Sequence, residues 1–199
     1  ARIKRVLTRQ LGKKVKVGHT GTLDPFATGL MILVVGKECK NASQYSKLDK
    51  VYEATIRLGQ NSSTGDPEGE ISDISDKIPS LADIKLSIAK FTGSITQTPP
   101  IYSAIKIHGQ RAYDMARKGR TVEMPKRQVT IYNLELIEYK YPELKVRASV
   151  SSGTYIRTLA EDIGGDLKVG AYCTQLRRTS IDKWDVKDAK QLSDFGILD

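Results

Sequence analysis

The chain has 199 residues, 39% hydrophobic and 28% charged, with a net charge of +9. That length supports a sizeable core, and the balance excludes a disordered chain. No apolar run approaches the roughly 20 residues of a membrane span, and no signal peptide opens the sequence, so a cytoplasmic protein is expected.

The 32 basic and 23 acidic residues are unevenly placed. Arg2, Lys4, Arg5, Arg9, Lys13, Lys14 and Lys16 crowd the first 16 residues without an acid, whereas Asp66, Glu68, Glu70, Asp73 and Asp76 cluster later. Such asymmetry favours a polyanionic partner on one face, most simply nucleic acid, over a uniformly basic surface. Cys39 and Cys173 show no CxxC or Cys/His spacing, so free thiols are expected and a metal site is not.

Residues 2–11 place Ile3, Val6, Leu7 and Leu11 at helical spacing before Gly12. A polar loop, 18–25, precedes the apolar run Leu30–Val35, which reads as a buried strand. A polar helix is expected over 38–47, and the alternation of 51–59 predicts a strand stopped by Gly59. Residues 60–70 read as an exposed loop. Ser80 is placed to cap a helix whose stripe is Leu81, Ile84, Leu86, Ile88 and Phe91. A short strand over 101–107, a turn at His108-Gly109 and a helix over 112–118 follow. Residues 128–139 and 143–150 form a hairpin across Pro142. A helix over 155–163 should close at Gly164-Gly165, before a strand over 170–181 and a short helix near 188–192. The pattern predicts one α+β domain: a mixed, mainly antiparallel central sheet with flanking helices.

The loop Gly18-His19-Thr20-Gly21-Thr22-Leu23-Asp24-Pro25 is the candidate site. Its glycines allow close backbone approach and Pro25 restricts the chain beside its one carboxylate. Taken alone, such a loop is more often an ordinary Asp-Pro turn.

Four blocks in order change that weighting: 18–30 (GHTGTLDPFATGL), 50–59 (KVYEATIRLG), 97–106 (QTPPIYSAIK) and 153–159 (GTYIRTL), with 111–119 (RAYDMARKG) as a fifth. Together they resemble the TruB-type pseudouridine synthases, across nearly the whole chain. The resemblance implies an enzyme that isomerises a uridine of RNA, usually in the T-loop of tRNA, to pseudouridine. By position it makes Asp24 the catalytic aspartate and Tyr52 the tyrosine that stacks on the target base and assists proton removal. Arg157 matches the arginine that ion-pairs with the aspartate, and His19 a contact to the flipped RNA segment. Tyr155 and Lys106 fall in matching active-site blocks. A basic insert at about 97–127, carrying Arg111, Arg117, Lys118, Arg120, Lys126 and Arg127, would clamp the substrate stem.

The chemistry suits these residue types. A carboxylate can attack C1′ or the uracil ring, or act as a base. A guanidinium beside it favours the charged form and matches a carboxylate with its fork. An aromatic face can hold a detached base, which must first leave its stack. No cofactor is required by an isomerisation of this kind. Relatives usually open with a Lys-Pro-x-Gly block, and many end in a PUA module. Neither is present here, so one catalytic domain over 1–199 is expected. Nothing sets the oligomeric state, with a monomer the default. A guide-RNA-dependent relative and a catalytically silent RNA-binding protein on the same scaffold are the alternatives.

Overall fold

The computed structural model describes residues 2–103, 105–107, 109–116 and 123–197, with Lys106, Arg111 and Ala116 described at the backbone alone. The chain opens with helix α1 (Arg2–Gln10), strands β1 (Val17–His19), β2 (Thr28–Gly29) and β3 (Leu33–Val35), and helix α2 (Ala42–Ser46). Strands β4 (Lys50–Leu58), β5 (Gln60–Ser62) and β6 (Ile71–Asp73) lead to helix α3 (Leu81–Lys90) and β7 (Gly93–Gln97). Next come β8 (Lys106–Ile107), β9 (Gln110–Arg111), α4 (Ala112–Ala116), β10 (Arg127–Lys140) and β11 (Glu143–Val150). Helix α5 (Ile156–Asp166), β12 (Ala171–Ile181) and β13 (Trp184–Asp185) complete the set.

Alternation in β4 organises the main sheet. Tyr52, Ala54, Ile56 and Leu58 turn to the buried side, and the strand lies between β11 and β12. The sheet order is β13-β12-β4-β11-β10-β7, antiparallel throughout, with β2 added in parallel on β12. The expected mixed, mainly antiparallel sheet with flanking helices is therefore present. Ile84 and Ile88 of α3 and Ile156, Leu159 and Ile163 of α5 fill the core with Ile56, Val146 and Val150. Each large apolar side chain buried there contributes about 1.5–3 kcal/mol. The opposite face is wet: exposed Arg147 bridges Glu53 at 2.8 Å and Glu135 at 3.0 Å across three strands. One covered and one solvated face is the usual state of an antiparallel sheet.

Ser80 does cap α3, and reciprocally: its Oγ accepts from the Asp83 amide while Asp83 accepts from the Ser80 amide. This capping box satisfies two otherwise unpaired donors. The helical stripe is narrower than expected, because Leu81 and Leu86 are exposed.

Other expectations need correction. The Leu30–Val35 run forms a strand only at its end, in a two-stranded ribbon with β1. One side of that ribbon is covered, so Leu30 and Val34 are buried while Met31, Leu33 and Val35 are exposed. The helix expected over 38–47 divides into a 3-10 stretch, Gly36–Asn41, and α2. The strand expected over 101–107 shrinks to β8, since residues 101–103 bend to carry backbone to the site; Ala104 and His108 lie outside the described residues. Strand β7 has no counterpart in the sequence reading, being a five-residue edge strand directly after a helix. No helix forms at 188–192, where Ala189 is extended between 3-10 turns.

Helix α5 does not stop at Gly164-Gly165 but runs to Asp166. The two glycines serve packing. A Cβ on Gly164 would sit 2.4 Å from the Ala171 amide nitrogen, whereas one on Gly165 would meet nothing within 4 Å. Substituting Gly164→Ala is expected to destabilise the chain by about 1–3 kcal/mol through overpacking. Gly165→Ala, in open space on a helix, is expected to stabilise by up to about 1 kcal/mol. Urea unfolding midpoints of the two variants check the contrast.

Candidate active site

The loop 18–30 is fastened at both ends, to the β1–β3 ribbon and to the main sheet. On one side β1 pairs with β3, and the Thr20 amide donates to the Ile32 carbonyl. In the middle the Ala27 amide donates to the Asp24 carbonyl at 2.9 Å, so the segment is indeed an Asp-Pro turn. At the far end Gly29, with φ +108°, lies against β12. A Cβ there would fall 2.2 Å from the Arg178 carbonyl oxygen, so only glycine fits.

That turn aims the Asp24 carboxylate at Arg157 in the first turn of α5. Arg157 is 3% exposed, and its guanidinium is shared between two acids. Its Nη2 donates to Asp24 Oδ1 at 3.3 Å, and its Nε lies 3.0 Å from Asp24 Oδ2 as an ion-pair contact outside hydrogen-bond geometry. On the other side Nη1 donates to Asp66 Oδ2 at 3.0 Å and to the Thr64 carbonyl at 2.8 Å. Nη2 also donates to the Tyr102 carbonyl at 2.9 Å. The buried charge is thereby compensated by oxygens from three separate segments.

Asp24 remains a third exposed, whereas Asp66 is 5% exposed. The Asp66 carboxylate is held in turn by the Thr64 hydroxyl at 2.6 Å and the Glu68 amide at 3.0 Å. Burial pushes the Asp24 carboxyl above its ordinary value, and Asp66 adds to that, against the opposing pull of Arg157. The expected acidifying effect of the guanidinium is present but outweighed. Arg157 divides its charge, and the turn removes Asp24 from much of its water.

Tyr52 of β4, Thr22, Leu23, Tyr155 and Leu176 complete a small cavity of about 90 Å³ around Asp24 and Arg157. Burial raises the Tyr52 hydroxyl above its usual range, while the Arg178 guanidinium works in the other direction. Tyr155 is fixed through its backbone. Its amide donates to Gln97 Oε1 at 3.0 Å and its carbonyl accepts from Gln97 Nε2 at 3.2 Å. Larger hollows lie elsewhere. One of about 400 Å³ sits on the wet face of the sheet, and one of about 570 Å³ runs beside Pro99 and Lys126. Neither contains a carboxylate gripped by a buried cation.

The structure thus brings together Asp24, Tyr52, Arg157 and Tyr155. His19 is exposed at the end of β1 and does not line the cavity. Lys126 is exposed and Arg127 half-buried at the start of β10. Lys106 and Arg111 have backbone positions on the β8–β9 hairpin, with side chains outside the described residues, and Arg117, Lys118 and Arg120 lie wholly outside them. The sequence reading missed Asp66, Leu176, Gln97 and Arg178. A signal for the first was available: Thr-Gly-Asp-Pro at 64–67 repeats the glycine-flanked Asp-Pro of the Asp24 loop. For Arg178, alternation along β12 sets it on the same side as buried Leu176.

Among the described residues, no helix is long and apolar enough to cross a membrane, and no three His, Cys, Asp or Glu side chains converge to hold a metal.

Comparison with solved structures supplies the class. A Cbf5-Nop10-Gar1 complex matches at 27% identity and a TM-score of 0.66, over 90% of this chain and 44% of that one. An archaeal box H/ACA sRNP Nop10-Cbf5 complex matches at 23% identity and 0.68, over 98% and 48%, and shows the fold alone. The sheet and its helices are those of the pseudouridine synthase fold. Within that class, the profile of the TruB family pseudouridylate synthase (N terminal domain) matches residues 5–156, and the chain belongs to this family. Similar relatives include tRNA pseudouridine synthase B of Burkholderia lata, 45% identical over 92% of this chain and 57% of the relative. The protein of that name from Francisella tularensis subsp. holarctica is 46% identical over 92% and 61%. The chain therefore spans less than two thirds of the length of these curated relatives.

Because Asp66 and Arg157 are both buried, removing Asp66 leaves the guanidinium with a single, partly exposed counter-charge. Asp66→Ala is expected to cost about 3–5 kcal/mol in urea unfolding, and Asp24→Asn distinctly less, since solvent reaches Asp24. A larger cost for Asp24→Asn than for Asp66→Ala would show that Asp24, not Asp66, is the main counter-charge of the guanidinium.

Proposed function

We propose that this chain is the catalytic domain of a tRNA pseudouridine synthase that isomerises the T-loop uridine at position 55. In the reaction the C1′–N1 bond breaks, uracil turns, and a C1′–C5 bond forms. C5 loses a proton and N1 gains one, so the product is an isomer and no group is passed to solvent. Asp24 supplies the carboxylate for attack or proton removal, Arg157 orients it, and Tyr52 offers an aromatic face to the detached base. The single observation that carries the reading is the Asp24 carboxylate, a third exposed and held by buried Arg157 in a cavity that Tyr52 also lines.

The basic segment at about 97–127 is assigned to gripping the tRNA stem, with His19 and Tyr155 beside the flipped nucleotide and Lys106, Arg111, Arg120, Lys126 and Arg127 along the strand. The curated relatives carry the name tRNA pseudouridine synthase B at 45–46% identity, which favours action on tRNA without a guide RNA.

The test is pseudouridine formation on a T-stem-loop RNA without any guide, beside an RNA carrying cytidine at the target. Asp24→Asn should lower the single-turnover rate by about 10³-fold or more with RNA binding retained. Wild-type conversion by that variant would remove Asp24 from the chemistry, and tight binding without conversion by the parent protein would identify a silent RNA-binding scaffold.

The pH profile follows from the raised Asp24 carboxyl. A carboxylate needed in its charged form is lost as pH falls through its folded-state pKa, and here that pKa lies above the ordinary aspartate value. The acid limb of the rate profile should therefore sit above that of an unperturbed aspartate. It should move to lower pH in Asp66→Asn, which takes away a neighbouring negative charge and leaves Arg157 to Asp24.

A further inference from the structure

We infer that Arg178 is a positioning residue for this reaction: it holds the Asp24 loop closed on the sheet and fixes the Tyr52 side chain. The inference rests on the synthase reading of the site. Arg178 lies on β12 directly opposite Tyr52 on β4 and is 2% exposed, among the largest fully buried side chains of the protein. Among the described residues no carboxylate forms an ion pair with it. Its partners are backbone oxygens of the loop itself: Nε donates to the Leu30 carbonyl at 2.7 Å and Nη2 to the Gly21 carbonyl at 3.4 Å.

Those two carbonyls stand on either side of Asp24. The backbone of the same residue adds a third hold, because its carbonyl accepts from the Leu30 amide at 2.8 Å and Gly29 packs against it without room for a Cβ. One residue therefore closes the loop from 21 to 30 around the carboxylate. The guanidinium also neighbours the Tyr52 hydroxyl and favours its ionised form.

A buried guanidinium without a carboxylate is costly, and an apolar side chain would fill this place at lower free energy. What only arginine provides is a rigid fork whose separate donors reach carbonyls on both limbs of a loop. Lysine, a single flexible point donor, cannot span both.

The experiment compares the parent protein with Arg178→Lys and Arg178→Met. It measures single-turnover conversion of the T-stem-loop RNA, the dissociation constant for that RNA, and hydrogen exchange of backbone amides. Both variants should convert more slowly by on the order of 100-fold, as misplacement of a reacting group by about 1 Å does. The dissociation constant should stay within about threefold. Amides at 20–30 should exchange about tenfold faster, with β4 and α5 as in the parent. A parent-like rate in both variants, or unchanged protection at 20–30, overturns the inference. So does equal loosening of loop, β4 and α5, which would make Arg178 a general stability residue. If the parent protein forms no pseudouridine, the synthase reading fails on that result, while exchange at 20–30 still decides whether Arg178 holds the loop.

Discussion

A buried positive charge cannot be left to water, and in this protein that constraint falls on Arg157. Its guanidinium is satisfied by the Asp24 carboxylate, the Asp66 carboxylate, and the carbonyls of Thr64 and Tyr102. These groups come from three loops that are far apart in sequence, and the arginine itself stands in the first turn of α5. The electrostatics follow from the sharing. A guanidinium serving one carboxylate would make that group strongly acidic, but one serving two leaves the outer carboxylate under the influence of burial and of its negative neighbour. Asp24 ends up raised rather than lowered, which makes it a better base and nucleophile than a surface aspartate.

Two side chains then secure the elements that carry this pair. Gln97, 1% exposed at the end of β7, bonds both backbone groups of Tyr155 and thereby sets where α5 begins. Arg178 does the corresponding work for the Asp24 loop through the carbonyls of Gly21 and Leu30. Both use the ends of long side chains to hold backbone, which suits sites where a loop must be as rigid as a strand. The sheet beneath supplies that rigidity. Tyr52 and Arg178 face each other on neighbouring central strands, well inside the covered face.

What the sequence disclosed depended on whether the relevant pattern was local. The alternation of β4, the hairpin of β10 and β11, and the Ser80 cap each arise within a few residues and were readable. The apolar run at 30–35 was not, because its hydrophobicity is the same whether a strand is covered on one side or two. Gly164 and Gly165 look alike in sequence and differ only in what β12 brings against one of them. Asp24, Tyr52 and Arg157 were found through blocks that resemble a family, and the geometry brings them together. Asp66 escaped because its loop has the composition of an exposed turn, and its burial is a consequence of Arg157, 91 residues away.

The size of the cavity bears on how such a site must work. At about 90 Å³ it is a cleft between Asp24, Tyr52, Tyr155 and Leu176 rather than a preformed chamber. On the proposed synthase reading, a flipped nucleotide would supply part of the wall itself, replacing water around Asp24 as it enters. On that reading the free-energy demand falls on contacts outside the cleft, such as the exposed Lys126. Contacts to phosphates weaken as salt rises and would bring a strand to the protein without choosing a base. On that reading, the choice of base falls to the cleft that Asp24, Tyr52 and Leu176 line. Fold similarity near 23% identity is silent on that division of labour, because the sheet is common ground while the fork of Arg157 and the clamp of Arg178 are what convert it into a site.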